Sequence, residues 1–173
     1  MKKHVFTLLI TLFGINLLNA QNNSDNLTSI TFEVSNMGFN TVNGSFSGMT
    51  GAVNVDPNNI ISSKIDVCIP ANSVNTGNNG RDKHLKKDDF FDVEKYPNIC
   101  FVSNSVTKNG DKYIVKGNLT LKDVTKEISI PMQIENNQLI AEFKLTRKDF
   151  NLGPNGGFMV GKTIDIKVET TLL

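Results

Sequence analysis

Apolar and polar residues alternate with period two along most of the chain. Ile30, Phe32 and Val34 alternate with polar residues in the first such run. Because successive side chains of a strand point to opposite faces, this pattern predicts half-buried β-strands. Helical spacing is found at one place alone, which predicts an all-β fold. The predicted strands are Ile30–Ser35, Thr41–Asp56, Ile60–Ile69, Asn98–Thr107, Lys112–Leu121, Lys126–Ile134, Leu139–Thr146 and Lys162–Leu173.

These strands are joined mostly by short turns, of which Asn109-Gly110 and Asn136-Asn137 are the clearest. Eight antiparallel strands with such connections predict an up-and-down, lipocalin-like barrel. The glycines of Thr41–Asp56 suggest that this long strand is bent. A barrel of this size can hold one slender ligand, whereas a two-sheet sandwich would fill the same inward positions. Periodicity does not separate these two architectures.

The strand rhythm is interrupted between Val74 and Tyr96. A Gly- and Asn-rich stretch there leads into a charged run that ends in Phe90-Phe91. The pattern predicts one short helix within a long loop, with Leu85 and one of the two phenylalanines facing inward.

The N-terminal segment has the layout of a secretory signal peptide. Basic Lys2 and Lys3 precede an apolar run that ends at Leu18, and Ala20 offers a small residue at the predicted cut. The run is short and broken by polar residues, whereas a membrane span needs about 20 apolar residues. We therefore expect residues 1–20 to be removed, residues 24–173 to form one domain, and no transmembrane segment to remain. The protein is expected in the periplasm or outside the cell.

Charge and composition argue against several functions. Two of the 18 Lys and Arg residues leave with the signal segment, so the remaining chain is nearly balanced by its 17 Asp and Glu residues. No basic cluster stands beside interleaved aromatics, which disfavours nucleic acid binding. Of the 2 His residues, only His84 lies beyond the signal segment. That count excludes a His-rich metal site, and we predict no metal and no cofactor.

Two cysteines raise the question of a disulfide. Cys68 and Cys100 each alternate with large apolar neighbours in strand-like runs, so both are predicted on the outer face. If the two strands pair, the sulfurs can meet, and an oxidising compartment would allow the bond. Two free thiols are the equally weighted alternative, because the sequence does not give the separation of the Cα atoms.

Phenylalanines are spread over nearly every predicted element. Any one of them is more simply explained as core packing, so a ligand-binding interpretation applies only to the set. If the barrel is hollow, the inward apolar side chains form the wall of its cavity. The predicted wall residues are Phe32, Val34, Phe39, Phe46, Ile65, Val67, Phe91, Phe101, Leu119, Phe143 and Phe158.

Several stretches of the sequence resemble the YceI-like family. They are Asn75–Leu85, Asp89–Phe101, Gly117–Lys126, Arg147–Phe150 and Val160-Gly161, which follow each other in the order expected for the family. The resemblance implies a lipocalin-like barrel in the bacterial envelope. It also implies an interior that accepts a polyisoprenoid chain, and no established catalytic activity.

One departure from the family pattern concerns its histidines. Family members commonly begin with a His-Ser pair and carry a second His near the end of the first strand. Thr28-Ser29 and Asn36 stand at the matching places here. This puts in doubt any role of those histidines at the polar end of a ligand.

Three polar residues of the interrupted stretch are candidates for a polar mouth of the barrel. Arg81, Asp82 and His84 could hydrogen-bond the head of a quinone or of a phosphate-bearing lipid. The structural alternative is that Asp82 caps the short helix while Arg81 pairs with Asp89 or Asp92. We favour the structural alternative, because charges at a helix start usually serve the local backbone.

The leading hypothesis is therefore a non-enzymatic, exported barrel that holds an isoprenoid lipid, such as a quinone or polyprenyl species, for carriage, storage or stress protection. A second hypothesis is an interaction or stress-response barrel whose interior is filled. A third is an enzyme that acts on a lipid head group through His84 with Asp82. This hypothesis ranks last, because the sequence offers no nucleophile paired with the histidine.

Overall fold

The computed structural model describes residues 28–37, 40–154 and 160–172. Nine strands and a single α-helix, α1 (Asn79–Leu85), make up most of this described part. The predicted signal peptide lies outside the described residues. The strands are β1 (Ser29–Asn36), β2 (Asn40–Phe46), β3 (Thr50–Asn54), β4 (Lys64–Pro70), β5 (Asn98–Asn109), β6 (Lys112–Leu121), β7 (Val124–Glu135), β8 (Gln138–Thr146) and β9 (Val160–Thr171).

All nine strands belong to one antiparallel sheet in the order β2-β1-β9-β8-β7-β6-β5-β4-β3. Strand β9 pairs with β1, so the last strand of the chain returns to the first. The two strands at the sheet edges, β2 and β3, are consecutive in the chain and are separated by only residues 47–49. The sheet is thus curled around its own interior, which confirms the predicted all-β, antiparallel, lipocalin-like architecture.

The predicted count of eight strands is wrong, because the predicted strand Thr41–Asp56 is divided into β2 and β3. The division falls at residues 47–49, where Gly48 has a φ of 74°, a left-handed conformation that favours glycine. The amide of Ser47 donates to the Ser73 hydroxyl at 3.1 Å instead of to a neighbouring strand. Strand β2 pairs with β1 and β3 pairs with β4, so the break lies where the chain changes partners.

The predicted strand Ile60–Ile69 also begins later than expected. Its first part is a 3-10 turn, Ile60–Ser62, and β4 starts at Lys64. Ser62 donates its amide to Asn59 O at 3.0 Å, and the Ser63 hydroxyl accepts from the Asp56 amide at 3.0 Å. This local side-chain and turn bonding competes with strand pairing, which the apolar run alone did not reveal.

Both predicted tight turns are confirmed. Strands β5 and β6 meet across Gly110, which has a φ of 62°. Strands β7 and β8 meet across Asn136 and Asn137, whose φ values of 50° and 65° fit the left-handed turn that matches the twist of a hairpin.

The two cysteines are directly opposite each other on β4 and β5 and form a disulfide, with sulfurs 2.09 Å apart. Their chain neighbours Val67 and Phe101 lie on the wall of the interior cavity. Because successive side chains of a strand alternate between faces, the bond lies on the outer face as predicted. The bond closes a segment with a sequence separation of 32 that contains α1. It therefore limits the freedom of the whole connection between β4 and β5.

We predict that replacing both Cys68 and Cys100 by Ser lowers the free energy of unfolding by about 3 to 4 kcal/mol, the loop-closure entropy of such a segment. The measurement is urea denaturation of the oxidised wild type and of the double variant. Treatment of the wild type with a reductant is the matched control and should give the same loss. Two titratable thiols in the native, unreduced protein would contradict the bond.

Candidate functional site

A cavity of about 230 Å³ lies inside the curled sheet. Only apolar atoms of the wall face it. An apolar cavity of about 150 Å³ is already large enough to take up benzene and too apolar to hold water. At about 24 cal/mol per Å³, a cavity of this size would cost about 5.5 kcal/mol if nothing filled it. The interior is thus suited to a hydrocarbon.

The predicted wall residues that fall within the described part of the chain all lie on the cavity wall. Phe39 and Phe158 lie outside the described residues. Whether the others contact a ligand stays a prediction. The wall residues placed in this way are Phe32, Val34, Phe46, Ile65, Val67, Phe91, Phe101, Leu119 and Phe143.

Two glycines make room for two of the wall's aromatic rings. Phe32 lies directly opposite Gly44 across β1 and β2, and a Cβ atom added to Gly44 would come within 2.2 Å of the Phe32 ring. A Cβ atom on Gly117 would come within 2.6 Å of the Phe101 ring. Each ring therefore covers the inner side of a glycine on the neighbouring strand. Because the rings lie against the wall, the middle of the barrel stays open.

Three aromatic rings form a continuous contact between the sheet and the long connection from β4 to β5. The Phe46 ring lies 5.5 Å from Phe32 in a tilted arrangement and 5.5 Å from Phe91 in an edge-to-face arrangement. Such geometries stabilise aromatic pairs beyond the area that they bury. They attach the connection to β1 and β2 on the inner side.

We call residues 71–97, which include α1, the cap segment. It contributes Leu85, Phe90 and Phe91 to the cavity wall. The prediction had Leu85 and one of the two phenylalanines facing inward, and in the structure both phenylalanines do. Its backbone is tied to other loops, because Gly153 N donates to Asp89 O and Lys122 Nζ donates to Asp88 O, each at 2.8 Å. The cap segment and the residues after β8 therefore close the same end of the cavity.

The cap segment also pairs with the free edge of β2. Ser45 donates its amide to Asn75 O at 2.8 Å and accepts from the Asn75 amide at 3.0 Å. This bridge satisfies backbone groups that the strand edge would otherwise expose.

Arg81 and Asp82 make different contacts from those predicted. The N-cap of α1 is Asn78, whose side chain accepts from the Arg81 amide at 3.0 Å, and not Asp82. The Asp82 carboxylate accepts from the amide and hydroxyl of Thr76, at 2.9 and 2.5 Å. Arg81 donates to the hydroxyl and carbonyl oxygens of Thr76, and not to Asp89 or Asp92. Both side chains thus organise the start of the helix.

His84 forms a hydrogen bond with Asp89, with Nε2 and Oδ2 separated by 2.7 Å, and not with Asp82. The pair is exposed, and the imidazole packs edge-to-face against the Phe90 ring at 5.1 Å. None of Arg81, Asp82 and His84 belongs to the cavity wall. Their predicted role at the polar end of a ligand stays a prediction.

Among the wall residues that were not predicted as part of the site is the buried Arg147, which the sequence analysis named only within a family-like stretch. It is 2% exposed and belongs to the cavity wall. Its guanidinium donates to four backbone carbonyls, those of Leu152 at 2.7 Å, Gly161 at 2.9 Å, Val160 at 3.3 Å and Pro154 at 3.4 Å. The charged group is therefore turned towards peptide oxygens, and the wall stays apolar.

A signal for this residue is present in the sequence. The inward residues of β8 include Leu139, Ala141, Phe143 and Leu145, all at odd positions. Continuing that alternation by one step places Arg147 on the inner face. A charged residue that continues an apolar series needs buried acceptors, and the structure supplies them.

Within the described ranges, no group of three or more His, Cys, Asp or Glu side chains could hold a metal ion. In the same residues, no helix is both long and apolar enough to cross a membrane.

Comparison with known proteins identifies the family. The model of the YceI-like domain matches residues 23–172. The chain belongs to the YceI-like family. A curated YceI-like relative, UPF0312 protein plu2095 of Photorhabdus laumondii, is 36% identical over 140 residues, which cover 81% of this chain and 66% of that protein. The match thus spans just under two thirds of the relative's length.

Solved structures share the YceI-like fold. The crystal structure of BcnA from Burkholderia cenocepacia superimposes with a TM-score of 0.81 at 21% identity and covers 85% of this chain and 97% of that one. A polyisoprenoid binding domain from Saccharophagus degradans superimposes with a TM-score of 0.62 at 15% identity, covering 83% and 92%. At these identities the likeness establishes the fold alone.

We predict that Gly44→Ala narrows the cavity, because the added Cβ displaces the Phe32 ring inward. Overpacking of this kind costs about 1 to 3 kcal/mol of unfolding free energy, which chemical denaturation measures. Uptake of an apolar fluorescent dye should fall in parallel. Gly80→Ala is the matched control, since its Cβ would meet nothing closer than 3.4 Å. Equal stability and dye uptake for both variants would contradict the role of Gly44.

Proposed function

We propose that this protein binds a long-chain lipid of the isoprenoid kind, such as a quinone or a polyprenyl species, with the hydrocarbon inside the cavity. The observation that carries the proposal is a cavity of about 230 Å³ that only apolar atoms face, enclosed by a curled sheet. The structural neighbour from Saccharophagus degradans, a polyisoprenoid binding domain, adds support by likeness of fold.

The energetics of burial favour such a ligand. One isoprene unit, with about five carbons, gains up to about 4 kcal/mol on leaving water. Binding itself costs an estimated ~4 to 15 kcal/mol in lost freedom of motion. A few buried units therefore suffice for micromolar affinity without any charged contact. The polar head of the ligand would lie outside the apolar part of the cavity, because no polar atom faces it there.

We further propose that the role is carriage, storage or stress protection and that the protein is not an enzyme. The candidate catalytic pair fits poorly with chemistry on a bound lipid. His84 is paired with Asp89 on the surface, and neither belongs to the cavity wall. The alternative of a filled interaction barrel is opposed by the size of the cavity.

Native mass spectrometry of protein purified from its own bacterium without detergent tests lipid binding. We expect an added mass that organic solvent extracts and that chromatography with mass spectrometry identifies as an isoprenoid. After extraction, the protein should take up added ubiquinone or a polyprenol. A bare polypeptide mass, together with no uptake of either probe, would rule out the carrier function.

A pair of variants on β9 connects uptake to the cavity. Ile166 lies on the wall and Thr163 is exposed on the same strand. Ile166→Asn should abolish uptake, because its amide has no partner inside, whereas Thr163→Asn should bind normally. Equal binding by the two variants would place the lipid elsewhere.

We propose that the protein is exported and cleaved near Ala20. The signal-like N-terminus supports this, and so does the disulfide, since such bonds persist mainly in oxidising compartments. Fractionation of the native bacterium, followed by N-terminal sequencing of the protein, should find a chain beginning close to Gln21 in the periplasm or the medium. An intact N-terminus in the cytoplasmic fraction would refute export.

A further inference from the structure

Two wall residues at one end of the cavity share one guanidinium as a hydrogen-bond donor to their carbonyls. Leu152 follows the 3-10 turn Arg147–Phe150, and Val160 begins β9. Both belong to the cavity wall, and their carbonyls are two of the four acceptors of Arg147. The other two acceptors, Pro154 O and Gly161 O, are their near neighbours in the chain. One side chain thus joins both ends of the connection from β8 to β9.

The arrangement requires an arginine. A guanidinium carries five N–H donors in a fixed planar fork, and here its Nε, Nη1 and Nη2 atoms all donate. Lysine offers three donors on one nitrogen and could not reach acceptors that lie on both sides of the connection.

Charge compensation for Arg147 comes from peptide dipoles. In the described residues no carboxylate pairs with it, and the nearby Asp149 pairs with Lys126 at 3.1 Å. The five residues between Pro154 and Val160 contain no Asp or Glu in the sequence. Burial, followed by the charge of Arg147, lowers the pKa of the adjacent Lys148. The four carbonyls are therefore essential to keeping this cation buried.

The same end of the cavity is closed by large apolar groups. Phe150, on the 3-10 turn with Arg147, is 2% exposed and belongs to the wall. Gly153 N donates to Asp89 O of the cap segment, and a Cβ on Gly153 would come within 2.8 Å of the Phe90 ring. The cap segment thus rests directly on the residues that Arg147 holds.

From these contacts we infer that Arg147 is a positioning residue of the binding cavity. It fixes the end wall, which is formed by Phe150, Leu152 and Val160. This wall limits the length of hydrocarbon that the cavity accepts. The inference rests on the proposed lipid-binding function. It adds that selection among lipids depends on chain length at this end and not on recognition of an anionic head by Arg147.

The test compares affinities for geraniol, farnesol, geranylgeraniol and solanesol, measured by displacement of an apolar fluorescent probe. In the wild type, affinity should rise with length and stop rising once the cavity is filled. In both Arg147→Met and Arg147→Lys, that limit should move to a longer prenol by at least one isoprene unit. Lys162→Met, which removes an exposed cation on β9, is the matched control and should keep the wild-type limit.

The outcomes separate the inference from the function on which it rests. Folded Arg147 variants that keep the wild-type length limit would overturn the inference while lipid binding stands. A wild-type limit in Arg147→Lys with a changed one in Arg147→Met would also overturn it, in favour of recognition by charge. If neither Arg147 variant folds, Leu152→Ala is the deciding variant. Its shortened side chain should move the length limit to a longer prenol, and an unchanged limit would refute the role of the end wall. A wild type that binds no prenol would refute the proposed function itself.

Discussion

The structure depends on one constraint. Large side chains point inward at every second position of a curled sheet, yet they must not fill its middle. Phe32 and Phe101 meet this constraint by lying over Gly44 and Gly117, where any Cβ would collide with the ring. Curvature of the sheet contributes as well, since the pairing of β5 with β6 shifts between Ser103 and Ser105 beside Gly117. A bulge of this kind bends a sheet sharply and increases its twist. Small residues and bulges on the wall are thus what keep the interior hollow.

A hollow apolar interior requires that polar groups close to it find partners elsewhere. Arg147 turns its guanidinium to backbone carbonyls at both ends of the connection from β8 to β9. Arg81 and Asp82 are both engaged by Thr76, and His84 is paired with Asp89 on the surface. The hydrogen bonds that organise the loops therefore also remove polarity from the cavity. Closing the end of the barrel and keeping its wall apolar are achieved by the same contacts.

Alternation predicted the strands and the inward face well, because period two follows directly from strand geometry. Apart from Phe91, which lies in the cap segment, the described wall residues from Phe32 to Phe143 were found in this way. Features set by local hydrogen bonding were not predictable from the pattern. The break after Phe46 depends on the Ser73 hydroxyl, and the turn at Ile60–Ser62 depends on Asn59 and Ser63.

The candidate polar residues show a second reason for the limits of sequence reasoning. Charged residues beside a helix start suggested a cap and an ion pair, but Asn78 is the cap and Thr76 is the shared partner. Several nearby side chains could have capped the helix or paired with the arginine. The folded path of the backbone decides which of them does so. Whether a barrel is hollow depends on the same kind of detail, because ring orientation follows from the neighbouring strand and not from the residue's own position.

A cavity that no polar atom faces has a consequence for selectivity. Sites that hydrogen-bond their ligand reject analogues strongly, because a wrong ligand leaves buried partners unsatisfied. An apolar pocket distinguishes one methylene group by only about 1 to 3 kcal/mol. Lipids that share a hydrocarbon chain but differ in the head would then bind with similar affinity in this cavity. Selection by chain length is then the strongest discrimination available to such a cavity. The residues at its closed end, Arg147 among them, therefore matter more for the choice of lipid than any single phenylalanine along its sides.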